Sequence, residues 1–122
     1  MPKTILIVED NESIREAIET IFSFNGLNYV SSENCEQAIV RLLNDKIDLV
    51  LCDIRLPDTL GYAVISFMKT QENLKGIPFI FLSAFADKKD VERGLQLGAS
   101  AFVTKPFTNA KLLATILQYL GA

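Results

Sequence analysis

Histidine is absent from the 122 residues. The commonest general base at neutral pH and the commonest metal ligand are both missing, which excludes catalytic triads and zinc sites built on imidazole. Any chemistry has to run on carboxylates, hydroxyls and lysine. Basic tracts are missing too: 12 basic and 15 acidic residues give a formal charge of −3 with no Lys/Arg-rich run. Neither nucleic acid nor an anionic membrane is therefore an expected partner. No stretch approaches the ~20 apolar residues of a bilayer span. The opening MPKTILIVED ends its short apolar run at two acids, unlike a secretory signal, so a cytoplasmic protein is expected. Cysteine is limited to Cys35 and Cys52, both within apolar patterns, where free buried thiols are expected rather than a disulfide. Repeats, low-complexity tracts and linkers are absent, and the length suits one domain over residues 1–122.

What is present alternates evenly. Short apolar runs at 4–8, 29–31, 48–52, 78–82 and 101–104 are each followed by a helical stretch. In the first, Ile14, Ala17, Ile18, Ile21 and Phe22 keep the spacing of one helix face, with Asn25-Gly26 as the stop. Asn34 can cap the second with Gln37 three residues on, and Cys35, Ala38, Ile39, Leu42 and Leu43 form its stripe. Val64, Ile65 and Met68 mark the third. Asp87 can cap the fourth, with Val91 and Leu95 facing inward and Gly98 ending it. Thr108 can cap the fifth, which buries Leu112, Leu113, Ile116, Leu117 and Leu120. Strand and helix alternating in this way predict a doubly wound α/β fold, because parallel strands need crossovers and continuous apolar strands need cover on both faces. A closed barrel needs eight units, so the sheet is open.

The run DLVLCD ends on a carboxylate, and the other runs end on polar groups as well. Asp53 follows the third, Glu9 and Asp10 the first, Ser83 the fourth and Lys105 the fifth. Parallel strands finish on one edge, where ligands of open α/β sheets bind. In the strand order 2-1-3-4-5 the first and third strands are neighbours and the three carboxylates converge. At ~6 Å and an effective dielectric of ~20 each charged pair repels by roughly 3 kcal/mol, so a cation is required. Oxygen donors alone point to a hard ion, and a small cluster with room for waters and a phosphate oxygen suits Mg2+ better than a Ca2+ cage. The segment DNES also lacks the pattern of an EF-hand loop. Lys105 can pair with Asp53 or a phosphate oxygen, and the Ser83 hydroxyl can bond the same anion. Taken singly, each of these residues is commoner as a turn, a helix start or a solvated charge. Their shared edge is what such readings leave unexplained.

The chain resembles the receiver domains of two-component response regulators, the group that includes the chemotaxis regulators. The resemblance is carried by Glu9-Asp10, by Asp53-x-x-Leu56-Pro57-x-x-x-Gly61, by Ser83-Ala84, and by Gly98-Ala99-x-x-Phe102-x-x-Lys105-Pro106-Phe107. It implies a flavodoxin-like (βα)5 fold with a five-stranded parallel sheet of order 2-1-3-4-5. It also implies that Asp53 accepts a phosphoryl group from a histidine kinase or histidine phosphotransfer protein. Glu9, Asp10 and Asp53 would hold Mg2+, with the backbone carbonyl of Arg55 as a further ligand. Ser83 would be the switch hydroxyl, Phe102 the switch aromatic and Lys105 the phosphate-binding lysine, with a cis Lys105–Pro106 bond. Leu56 stands where methionine is common and Phe102 where tyrosine often sits.

The implied function is a signalling switch that catalyses its own phosphorylation and is not a metabolic enzyme. The face formed by the fourth helix, fifth strand and fifth helix would be read by a downstream partner or output domain, and dimerisation through the last two helices is left open. Three rivals differ in what they require. A haloacid-dehalogenase-type phosphatase places D-x-D after its first strand, where this chain has Glu9-Asp10-Asn11. A flavodoxin-type electron carrier needs a hydroxyl- and glycine-rich phosphate loop there, and this loop is acidic. A receiver-like interaction module would never take up phosphate. Arg55 and Phe85 are expected close to the acceptor and are candidates for tuning hydrolysis.

Overall fold

The computed structural model describes residues 2–84 and 88–121. The elements are β1 (Thr4–Val8), α1 (Glu12–Phe24), β2 (Asn28–Ser32), α2 (Cys35–Asn44), β3 (Leu49–Asp53), α3 (Tyr62–Lys69), β4 (Phe79–Ser83), α4 (Lys88–Gln96), β5 (Ala101–Thr104) and α5 (Asn109–Leu120). The strands form one parallel sheet in the order β2-β1-β3-β4-β5, a flavodoxin-like (βα)5 fold.

Side chains alternate across a strand with a period of two, and each face of the sheet builds its own core. Leu6, Val8, Val50, Cys52, Phe79 and Phe81 pack against α2, α3 and the Leu97–Ala99 turn. Ile5, Ile7, Leu49, Leu51, Ile80 and Leu82 pack against α1 and α5. The central strands β3 and β4 are buried at every position, which is why they read as unbroken apolar runs. Among the described residues no helix is long and apolar enough to cross a membrane.

Helix limits follow local chemistry. Asn34 Oδ1 accepts the Gln37 N–H at 2.8 Å, Thr108 Oγ1 accepts that of Lys111 at 3.1 Å, and α1 stops at Asn25 before Gly26 at φ +69°. Asp87, the expected cap of α4, lies outside the described residues, as does Phe85.

Several expected boundaries and faces shift. β3 begins at Leu49 rather than at residue 48: the Asp48 carboxylate accepts the Thr4 N–H at 2.9 Å and ties the strand entrance to β1. β4 begins at Phe79 rather than at Pro78, which has no N–H to give a ladder, and β2 is one residue longer at each end than expected. Ala17 and Leu43 are exposed, and Ile14, Ile39, Leu113 and Leu117 are half-buried, because the sheet covers a narrower arc than the apolar stripe. Leu95 also faces solvent and Val91 is half-buried. α4 approaches the sheet at Gly94, where an added Cβ would lie 2.4 Å from Phe102 Cζ. Leu95, about 100° further round the helix, is turned away.

Candidate functional site

The site is assembled at the carboxyl edge of the sheet. Glu9 follows β1, and its N–H extends the ladder to the Ser32 carbonyl at 3.0 Å, so its side chain is carried inside and is fully buried. Asp10, the next residue, is exposed. Asn11 then starts α1 by accepting the Ile14 N–H at 3.0 Å, while its own N–H donates to Glu9 Oε2 at 3.2 Å. Arg15, one turn into α1, donates to the Glu9 carbonyl at 3.1 Å and pairs with Glu33 at 3.4 Å.

Asp53 is the last residue of β3. Its Oδ1 accepts the Arg55 N–H at 3.2 Å, and its Oδ2 receives Lys105 Nζ at 2.8 Å. The chain then makes a small excursion and returns. Arg55 pairs with Leu60 in an antiparallel bridge, and Gly61 N–H donates back to the Ile54 carbonyl at 2.6 Å. That return brings Gly61 so close that a Cβ there would sit 2.2 Å from the Asp53 carbonyl oxygen. Only glycine fits without displacing the end of β3.

Ser83, the last residue of β4, is buried at 7 % exposure, and its carbonyl accepts the Lys105 N–H at 2.8 Å. This bond brings the β5–α5 connection over the edge, where the Lys105–Pro106 peptide is cis. Lys105 Nζ thereby lies 2.5 Å from Glu9 Oε1 as well as 2.8 Å from Asp53 Oδ2. Phe102 is half-buried on β5, its ring 5.3 Å from that of Phe81 and its edge against Gly94.

Glu9, Asp10 and Asp53 each offer an oxygen, and these lie within 4.8 Å of one another. The donor set fits a hard divalent cation. So does the state of Glu9 Oε1: it is buried, and among the described residues its compensation is the contact with the Lys105 ammonium. Burial outweighs the pull of Lys105, and with the neighbouring Asp53 charge raises the Glu9 pKa from 4.5 to about 7. Lys105 shifts upward as well: burial lowers its pKa, but hydrogen bonds to Asp53 and Glu9 raise it by more. Cys52 is held well above its ordinary pKa by burial and then by Asp53, and Cys35 is raised by burial and then by Asp58. Both are free, buried thiols.

Glu9, Asp10, Asp53, Arg55, Ser83 and Lys105 therefore reach one edge, whereas Phe102 lies within β5, level with Phe81 and two residues short of the strand end. Three participants were not singled out by the sequence reading. Asn11 carried the ordinary signal of a cap before an apolar-periodic stretch. Arg15 and Asp58 carried none, because their partners lie on other elements.

Comparison with known proteins agrees with this geometry. The chain is 36% identical over 121 residues to the polar-differentiation response regulator DivK of Brucella anthropi, covering 99% of this chain and 98% of that one. Its structure superposes on the receiver domain of the sensor histidine kinase PA1611 of Pseudomonas aeruginosa, which was solved with magnesium coordinated in its active-site cleft. The TM-score is 0.90 at 31% identity, over 100% of both chains. The signal receiver domain of a signal transduction histidine kinase from Syntrophus aciditrophicus is 33% identical with a TM-score of 0.89, over 98% of this chain and 90% of that one. The family model for the response regulator receiver domain matches residues 5–117. The chain thus belongs to the receiver domain family of two-component signal transduction.

Proposed function

We propose that this chain is a phosphoacceptor switch in which Asp53 takes a phosphoryl group from a histidine kinase or histidine phosphotransfer protein. The observation that carries the reading is the convergence of Glu9, Asp10 and Asp53 oxygens within 4.8 Å, with Lys105 Nζ 2.8 Å from Asp53. Glu9, Asp10, Asp53 and the Arg55 carbonyl would hold Mg2+. When bound, the ion supplies charge neutralisation and a template for the transferring oxygens.

The protein's own part is placement. A carboxylate attacking an anionic phosphoryl group faces repulsion, so orientation and countercharge matter most. The Arg55 N–H and the Lys105 ammonium hold the two Asp53 oxygens from different sides. A carboxylate oxygen of Asp53 forms the new bond to phosphorus as the bond to the donor breaks. Lys105, 2.8 Å from Asp53 Oδ2, is placed to pair with a phosphoryl oxygen. These residues hold no histidine, so the phosphoryl group comes from a histidine outside them or from a small phosphodonor. A groove of about 520 Å3 beside the site, lined by Ser13, Ile14, Ala17, Ala84, Lys105 and Pro106 among others, offers that partner a place to dock. The exposure of Ala17, unexpected for a core stripe, suits this groove.

The new phosphoryl group would add a charge of about −1.5 to −2 and three acceptor oxygens. Ser83 would bond one of them, Phe102 would follow inward, and the α4–β5–α5 face would change shape for a downstream protein, an output domain or a second copy. Intact-mass analysis after incubation with acetyl phosphate and Mg2+, with Asp53→Asn as control, tests the reading. A single phosphoryl gain in the wild type alone is expected. No gain in either protein would identify a receiver-like module that never takes up phosphate.

A further inference from the structure

Asp58 lies at the tip of the excursion that follows Asp53, and its carboxylate leaves that loop to grip another element. Oδ1 accepts the Cys35 N–H at 3.0 Å and Oδ2 accepts the Glu36 N–H at 3.1 Å. These are the first two residues of α2, whose next donor, Gln37 N–H, is taken by Asn34. The first turn of a helix presents donors without intrahelical partners and a partial positive charge, so a carboxylate across it is well placed. Burial acts to raise the Asp58 pKa, but the N–H groups of Cys35 and Glu36 bring it below the ordinary value. The partners are 23 and 22 residues away, so this is a tertiary clamp and not a local cap.

The loop it clamps has little else to hold it. Arg55, Pro57, Asp58, Thr59 and Leu60 are exposed, and only Leu56 packs partly on the core. Inside the loop, Leu56 N–H donates to the Thr59 carbonyl at 3.1 Å and Gly61 N–H to the Ile54 carbonyl at 2.6 Å. These two bonds flank the Arg55–Leu60 pair, which makes it a non-hydrogen-bonded pair and leaves the Arg55 carbonyl outside the ladder. The direction of that carbonyl therefore depends on how the tip of the loop is fixed.

We propose that Asp58 is a positioning residue of the metal and phosphoacceptor site: by clamping the loop to the first turn of α2, it sets where the Arg55 carbonyl stands relative to Asp53 and so tunes Mg2+ affinity. This rests on the reading above, in which that carbonyl is a ligand.

The test compares three variants of the full chain, Asp58→Ala, Asp58→Asn and Asn34→Ala, by calorimetric Mg2+ titration and amide hydrogen exchange. Losing a support of a metal ligand typically weakens binding about tenfold or more, and Asp58→Ala is expected to raise the Mg2+ Kd by about that factor and to speed exchange at Leu56 and Gly61. Asp58→Asn keeps one acceptor oxygen and should fall between Asp58→Ala and the wild type. Asn34→Ala removes the other cap of the same helix without touching the loop, so it should loosen α2 while leaving Mg2+ affinity and loop exchange unchanged. Equal Mg2+ affinity in Asp58→Ala and wild type would overturn the proposal, as would an equal loss in Asn34→Ala, which would reduce Asp58 to a helix cap. A wild type that binds no Mg2+ would overturn the functional reading and this role together. Faster loop exchange in Asp58→Ala with unchanged Mg2+ affinity would leave the clamp standing and refute its link to the metal.

Discussion

Replacing Lys105 with methionine removes the cation that lies between two buried carboxylates while keeping most of the side-chain volume. The ammonium lies 2.5 Å from Glu9 Oε1 and 2.8 Å from Asp53 Oδ2, and its side chain is 13% exposed. Without it, two carboxylates no more than 4.8 Å apart face each other, which at an effective dielectric of ~20 costs roughly 3.5 kcal/mol. That agrees with the ~3–5 kcal/mol typical of removing one partner from a buried pair. The cost depends on protonation. Glu9 titrates at about 7 in the folded protein, and loss of the lysine moves it higher, so at pH 5 it is neutral and the repulsion disappears. Urea unfolding followed by circular dichroism should therefore show Lys105→Met destabilised by up to about 3 kcal/mol at pH 8 and by less at pH 5, where only the Lys105–Asp53 pair is lost. Saturating Mg2+ should recover most of the loss at pH 8. An equal loss at both pH values, or a loss that Mg2+ leaves untouched, would refute the electrostatic account of this site.

The other predictions probe different contacts. Because the folded Glu9 pKa lies above its ordinary 4.5, the metal-free fold holds an extra proton, and this contribution to stability, full below 4.5, is lost as pH rises through about 7. Mg2+ competes with that proton, so calorimetric titration should show tighter binding at pH 8 than at pH 6; a flat profile would remove Glu9 from the ligand set. Gly61→Ala should destabilise by about 1–3 kcal/mol and slow phosphorylation by acetyl phosphate, since its Cβ would meet the Asp53 carbonyl at 2.2 Å. An unchanged melting temperature would contradict that close approach. Tyr62→Phe removes the hydroxyl that donates to the Asp90 carbonyl at 3.2 Å but keeps the ring under Arg93. It should cost about 0.5–1.5 kcal/mol and speed amide exchange in the first turn of α4. Ser83→Ala should still gain the phosphoryl mass but show smaller amide shifts across α4 and α5, and shifts equal to those of the wild type would exclude a switching role for that hydroxyl.

The sequence alone set the alternation of strand and helix, because short unbroken apolar runs and stripes with period 3.6 are local properties of the chain. It also determined which polar residues stand at strand ends, and in parallel topology those ends share one edge, so Glu9, Asp10, Asp53, Ser83 and Lys105 were legible as a group before any coordinate was known. How they divide the work emerges only in the fold. Glu9 is buried and Asp10 exposed although they are adjacent and chemically alike, because Glu9 still extends the ladder to β2 while Asp10 lies beyond it. Gly94 rather than Leu95 meets the sheet, since the distance of α4 from Phe102 is set by packing and not by hydropathy. The bonds from Arg15 to the Glu9 carbonyl and from Asp58 to the first turn of α2 left no mark on the sequence. An exposed Asp in a loop looks the same whether it meets water or a helix end 23 residues away, and only the fold brings that helix end within hydrogen-bonding distance.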